Sequence, residues 1–301
     1  MSKAHWLALV GAPGIGGATA RKLIERFGSI EAVFDAAPDA LAAIPRVTPT
    51  AAAQLLAAPL EALADEVTSL SDEGIELLTW DDDDFPAGLR TLPDAPVVLF
   101  MRGSLQPADA VAAAIVGTRN ASGPRLDLAD VIASGLAGRG ITIVSGLALG
   151  IDTAAHQGAL RAADGRTVAV LGSGLRVIHP RQNAALAEAI VERGALLSEL
   201  MPNAPPRGPQ LMARDRIVTG LSRAVIVVEA AADSGSLDTA ARARKQGRLV
   251  YAVPGSPGAD GLLRDGVPPL DPASPDLDAL AAAVRGASPP PDEIPHQGRL
   301  W

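Results

Sequence analysis

The sequence contains no cysteine. That excludes disulfides, thiolate metal sites, iron–sulfur clusters and a cysteine nucleophile. The histidines His5, His156, His179 and His296 are too scattered for a His-based metal centre, so neither a metal nor a cofactor is expected. Aromatic residues make up only 3% of the 301 residues, which argues against a binding surface built mainly on stacked rings. No apolar run reaches the ~18 residues of a membrane helix, and the N-terminus lacks the apolar core of a signal peptide. A soluble cytoplasmic protein with no membrane partner is expected. Lysine is scarce too, 3 residues against 23 arginines; with abundant Ala, Gly and Pro, this reads as coding bias.

What is present is a chain with 48% apolar and 20% charged residues, enough for one large packed domain or two ordinary ones. The net charge of −8 is unevenly spread: residues 1–100 carry −9, residues 101–260 carry +4 and residues 261–301 carry −3. A mildly basic centre between acidic flanks can hold a local anion site, because potential follows local arrangement.

The first 60 residues read as short helices. A Gly-rich turn, Gly11-Ala12-Pro13-Gly14-Ile15-Gly16-Gly17, leads into a helix, and Ile44-Pro45-Arg46-Val47-Thr48-Pro49 repeats the order without the glycines. The pair resembles a tandem helix-hairpin-helix module with a degenerate second copy. Such glycines let backbone N–H groups approach a DNA phosphate at a helix N-terminus. The acidic charge of this region favours a helical packing domain equally, and both readings stand. The run Asp81-Asp82-Asp83-Asp84 reads as a solvated turn rather than a metal site, because adjacent side chains diverge. A boundary near residue 70 is expected, followed by a domain over 71–268 and a Pro- and Asp-rich tail over 269–301, of which 288–292 reads as loose.

From residue 111 short apolar runs alternate with helical stretches. The runs are 111–116, 141–144, 167–171, 195–197, 224–228 and 249–253; the helices are expected over 126–139, 153–163, 183–193 and 237–246. Continuous apolar strands separated by helices predict a parallel sheet covered on both faces, an α/β doubly wound domain. Ligands of such sheets bind beyond the carboxyl ends of the strands. Here those ends read Gly117-Thr118-Arg119, Ser145-Gly146, Gly172-Ser173-Gly174, Ser198-Glu199, Glu229 with Ser234-Gly235, and Pro254-Gly255. Glycines at these places remove side-chain bulk, so that backbone N–H groups reach a phosphate.

No P-loop, complete dinucleotide fingerprint or G-x-S-x-G elbow is present. Asp152 and His156 stand four apart at a helix start, which fits an N-cap aspartate and a helical histidine better than a catalytic set. Arg119, Arg181, Arg214 and Arg216 fall at the same sheet edge and predict an anion track, since guanidinium groups bind phosphates and stack on bases.

Ile115-Val116-Gly117-Thr118-Arg119, the run from Ser145 to His156, Ser234-Gly235-Ser236 and Ala252-Val253-Pro254-Gly255 together resemble the DprA/Smf DNA-processing family. The resemblance implies an extended Rossmann-like domain behind a helix-hairpin-helix or SAM-like domain, a homodimer, and no catalysis. It implies a protein that binds incoming single-stranded DNA in natural transformation, protects it and helps load RecA recombinase. Carried over by position, Gly117, Thr118, Arg119, Ser145, Gly146, Gly172, Gly174, Arg181, Asn183, Arg214, Arg216, Ser234 and Gly235 would contact the strand. Leu262 and Leu263 would fall at the dimer contact. The departures are Asp215 for the Asn of an Arg-Asn-Arg motif, His179 for a Tyr, and Leu211-Met212 for Phe-Pro. Residues 269–301 are too few for the winged helix that many relatives carry. A rival from another class is a Rossmann-like phosphoribohydrolase, with Glu199 or Glu229 as its acid; here its Gly pair and downstream Glu are absent.

Overall fold

The computed structural model describes residues 3–287, and the stretch 288–292 lies outside the described residues. By internal contacts the chain divides into two units, Met1–Phe85 with Pro93–Met101, and Pro86–Leu92 with Arg102–Trp301. The division falls later than the boundary near 70 expected from composition.

The first unit holds the helices Lys3–Gly11, Gly17–Phe27, Ile30–Phe34, Pro38–Ala42, Pro49–Leu56 and Leu60–Asp72. Local chemistry sets their ends. The Ser29 hydroxyl accepts from the Ala32 N–H and that of Thr48 from the Ala51 N–H, each at 3.1 Å, satisfying donors that a helix N-terminus leaves free. Gly28, at φ 91°, closes the helix Gly17–Phe27 by donating to the Ile24 carbonyl. Trp6, Leu7, Leu9, Leu23, Ile30, Leu41 and Leu55 fill the core between these short helices. Strand β1 (Ile75–Thr79) neighbours β2 (Val98–Gly103). The acidic run after β1 is a turn: the Asp82 carboxylate accepts from the Thr79 N–H at 2.7 Å. Among the described residues no group of three or more acidic or His side chains is placed to hold a metal.

In the second unit the apolar runs become β3 (Ala112–Gly117), β4 (Thr142–Ser145), β5 (Thr167–Val170), β6 (Gly194–Ser198), β7 (Ala224–Glu229) and β8 (Leu249–Ala252). They lie in the order β6-β5-β4-β3-β7-β8, parallel at every pairing. This is the doubly wound Rossmann-like sheet that the sequence predicts. The chain steps outward from β3 to β6 on one side, then returns to place β7 and β8 on the other. The order therefore reverses between β3 and β7, the switch point at which such sheets leave a crevice.

The helices Gly123–Ala137, Ile151–Arg161, Ala184–Arg193 and Gly235–Lys245 match the four predicted. Three begin two or three residues early; in Gly123–Ala137 and Gly235–Lys245 the first turn carries Gly or Pro, which read as loop although a helix start tolerates them. Gly158 lets two helices touch: a Cβ there would lie 2.3 Å from the Asp130 carbonyl oxygen.

The C-terminal segment departs from expectation. Leu277–Gly286 is a helix, capped by the Asp276 carboxylate, which accepts from the Ala279 N–H. Leu280, Ala281 and Val284 are buried in the same core as Ile132 and Leu136, and Leu277 packs against that core. The i, i+3, i+4, i+7 spacing carries the signal; surrounding Pro and Asp hide it in a composition reading.

Candidate nucleic-acid interface

The switch point is built by β3, β7 and the loop after β4. Thr118 N–H donates to the Glu229 carbonyl at 2.8 Å, and the β3–β7 register shifts after Val116. Gly117 is required by packing: a Cβ would lie 2.5 Å from the Ile151 side chain and 2.9 Å from the Glu229 carbonyl oxygen. Gly150 has φ +79°, and a Cβ there would lie 2.3 Å from the Thr118 carbonyl oxygen. The loop that presents Arg119 thus rests on the loop after β4. Arg119 itself is exposed, and among the described residues nothing accepts a hydrogen bond from its guanidinium.

Arg181 is exposed in the same way, on the turn Arg181–Asn183. Asn183 ends that turn, and its buried side chain is committed to the protein. It donates to the Leu147 carbonyl at 2.9 Å and to the Thr153 hydroxyl at 2.8 Å. The turn carrying Arg181 is thereby tied to the loop after β4. That loop is also held from below. The Asp152 carboxylate accepts from the N–H groups of Gly146 and Ala148 at 3.1 and 3.3 Å. Gly150, not Asp152, occupies the N-cap position of the helix Ile151–Arg161.

The other two arginines of the expected track turn inward. Arg214 donates through Nε to Asp215 at 2.7 Å and through Nη1 to the carbonyls of Gly146, at 2.5 Å, and Val170. Its Nη2 lies 3.9 Å from Asp152. Gly146 is glycine because the guanidinium occupies the space of a side chain: a Cβ would fall 2.0 Å from it. Arg216 pairs with both oxygens of Glu199 at 2.6 Å. In this structure both guanidinium groups serve as internal braces, in which a cation from one loop satisfies carbonyls and carboxylates of its neighbours. Ser145 is fully buried and donates to the Ile115 carbonyl at 2.7 Å.

The remaining glycines give two results. Gly172 and Gly174 are buried, and side chains there would strike the Leu211 backbone at 2.7 Å and the Met201 and Pro202 carbonyls at 2.2 Å. Their smallness serves close packing. Ser234 and Gly235 are half-buried at the start of the helix Gly235–Lys245, where the Ser234 hydroxyl is the cap. Leu262 is buried within its own chain, whereas Leu263 beside it is half-exposed.

Burial sets the electrostatics beneath the crevice. It pushes the carboxyls of Asp152 and Asp215 above the ordinary carboxylate range, and the nearby Arg214 cation opposes the shift. His156, fully buried, is held neutral, its pKa pushed down to about 3 by burial and then by Arg214. Its Nδ1 lies 2.7 Å from the Thr167 hydroxyl. The Thr167 hydroxyl donates onward to Ile143, so Nδ1 carries the proton. Both candidate acids of the rival hydrolase reading have protein partners: Glu199 pairs with Arg216, and the Glu229 carboxylate accepts from the Ser122 N–H at 3.2 Å.

A family model described as DNA recombination-mediator protein A matches residues 76–263. The chain belongs to the DprA/Smf family. A second model, the SAM-like helix-hairpin-helix tandem, matches residues 7–58, in agreement with the hairpin repeat read from the glycines. Protein Smf of Escherichia coli is 41% identical over 214 residues, covering 70% of this chain and 57% of the relative. Protein Smf of Synechocystis is 36% identical over 264 residues, covering 85% of this chain and 65% of the relative. The chain thus spans less than two thirds of the length of these relatives. Among solved structures, DprA of Streptococcus pneumoniae superposes with a TM-score of 0.80 at 32% identity, covering 92% of this chain and 97% of that one. DprA of Helicobacter pylori, described for its single-stranded DNA binding mode, gives 0.62 at 28% identity, covering 70% of this chain and 95% of that one.

Proposed function

We propose that this chain is a recombination mediator that binds single-stranded DNA at the β3–β7 switch point, with no catalytic step. The observation that carries the reading is the pair Arg119 and Arg181. Both are exposed cations without hydrogen-bond or ion-pair partners among the described residues, set on loops that buried hydrogen bonds hold together. Free guanidinium groups at fixed spacing suit the phosphates of a flexible strand. Thr118, Ser234 and Gly235 complete the accessible rim, and Gly117, Gly146, Gly172 and Gly174 shape it by close packing. Arg214, Arg216, Asn183 and Ser145 support it from within.

Membership of the family further supports protection of incoming single strands, RecA loading in the cytoplasm, and self-association in which Leu263 presents the accessible side chain. The deciding experiment is equilibrium binding of a fluorescent single-stranded oligonucleotide titrated with salt, with duplex and mononucleotide as competitors. Tight, salt-sensitive binding that duplex competes poorly is expected. Failure to bind the oligonucleotide, with cleavage of a mononucleotide, would overturn the reading. Sedimentation velocity of the chain and of a Leu263→Glu variant tests the dimer.

A further inference from the structure

The loop after β4 holds an apolar side chain where a soluble protein ordinarily keeps one covered. Among the described residues the exposed large hydrophobics are Val131, Leu149 and Met212. Val131 lies in the middle of the helix Gly123–Ala137, and Met212 packs toward Gly235. Leu149 lies on the loop that contacts both arginine-bearing segments. On one side its neighbour Gly150 packs on the carbonyls of Thr118 and Arg119. On the other, Asn183, at the end of the turn that carries Arg181, donates to the carbonyl of Leu147.

The exposure is built in. Leu147 adopts φ 59°, uncommon for a residue with a side chain. This conformation is held by Asn183 on its carbonyl, by Asp152 on the N–H groups either side, and by the Thr153 hydroxyl donating to the Ala148 carbonyl at 2.7 Å. Leu147 is thereby turned in and fully buried, while Leu149 is turned out with 38% of its surface in water. The second unit also has few rings to offer a base. Its described Tyr251 packs on the core, leaving the exposed His179 as the alternative.

We propose that Leu149 is the apolar seat for an unstacked nucleobase whose flanking phosphates are held by Arg119 and Arg181. The inference rests on the single-strand reading and adds to it a base contact and a reason for discrimination. A duplex hides its base faces in the stack, so it reaches the arginines but not Leu149.

The test compares oligothymidylate with an abasic phosphodiester of equal length, on wild type and on Leu149→Ser, Leu149→Met, His179→Ala and Arg119→Ala. Wild type is expected to prefer the strand that has bases. Leu149→Ser should bind oligothymidylate about fivefold to tenfold more weakly, from the apolar area left uncovered. It should bind the abasic strand unchanged, with the same salt slope and melting temperature. Leu149→Met should restore the preference, and Arg119→Ala should weaken both strands and flatten the salt slope. Equal binding of both strands by wild type would overturn the inference and leave the single-strand reading standing. Binding of neither strand would sink that reading itself. Loss of the preference in His179→Ala but not in Leu149→Ser would move the seat to the imidazole and overturn the assignment.

Discussion

Replacing Arg214 with methionine separates a brace from a ligand contact. The change keeps most of the stem and removes a guanidinium whose side chain is 8% exposed. Asp215 loses a partner at 2.7 Å, the carbonyls of Gly146 and Val170 lose a donor, and Asp152 loses its cation. Two buried carboxylates are left to repel each other. Breaking a buried ion pair from one side costs about 3–5 kcal/mol. For a unit of this size that lowers the melting temperature by roughly 6–20 °C. The deficit should shrink on acidification. Burial already raises the folded pKa of both carboxyls above the unfolded value, so their contribution is fully present below the unfolded pKa and lost as pH rises through the folded one. A double variant, Arg214→Met with Asp215→Asn, should recover part of the loss at neutral pH by removing one uncompensated charge. Calorimetry and urea titration at several pH values read these effects, alongside oligonucleotide affinity. Unchanged melting together with a selective loss of single-strand affinity would refute the reasoning, because the guanidinium would then have to reach the ligand.

Arg119→Ala and Arg181→Ala should behave in the opposite way, each lowering single-strand affinity and flattening the slope of log K against log salt by about 0.7 with melting unchanged; fluorescence anisotropy across a salt series measures it. Gly146→Ala places a methyl 2.0 Å from the Arg214 guanidinium, so a drop in the urea midpoint is expected. His156, with its folded pKa lowered to about 3, contributes stability above its unfolded pKa that is lost as pH falls from about 6.5 toward 3. In a His156→Gln variant the urea midpoint should therefore decline less on acidification than in wild type.

The parallel sheet was legible because the strands are short apolar runs, buried on both faces in all but the edge strand β8, and the connecting helices show their own period. The location of the crevice followed from the strand-end loops. The direction of each arginine was not legible. Whether Arg214 points in or out depends on Gly146, Val170 and Asp152, and Arg216 on Glu199, all distant in sequence. The glycines carried a similar ambiguity: a missing side chain serves a phosphate or a neighbouring loop equally well on paper. At Gly172 and Gly174 the neighbour is protein backbone. Leu149 gave no signal, because one leucine in a loop looks the same in sequence whether it is covered or bare.

The helix Leu277–Gly286 bears on where this molecule can be cut. Leu277 fills a notch that Gly135 leaves in the helix behind the sheet, where a Cβ would strike it at 2.2 Å. The family match ends at residue 263, so a fragment trimmed to the motifs would keep every loop of the crevice. It would also lose a strip of the interior wall, Leu280, Ala281 and Val284, and uncover the core that they share with Ile132 and Leu136. Such a fragment would aggregate or loosen for reasons unrelated to nucleic acid. Its silence in a binding assay would report a missing wall.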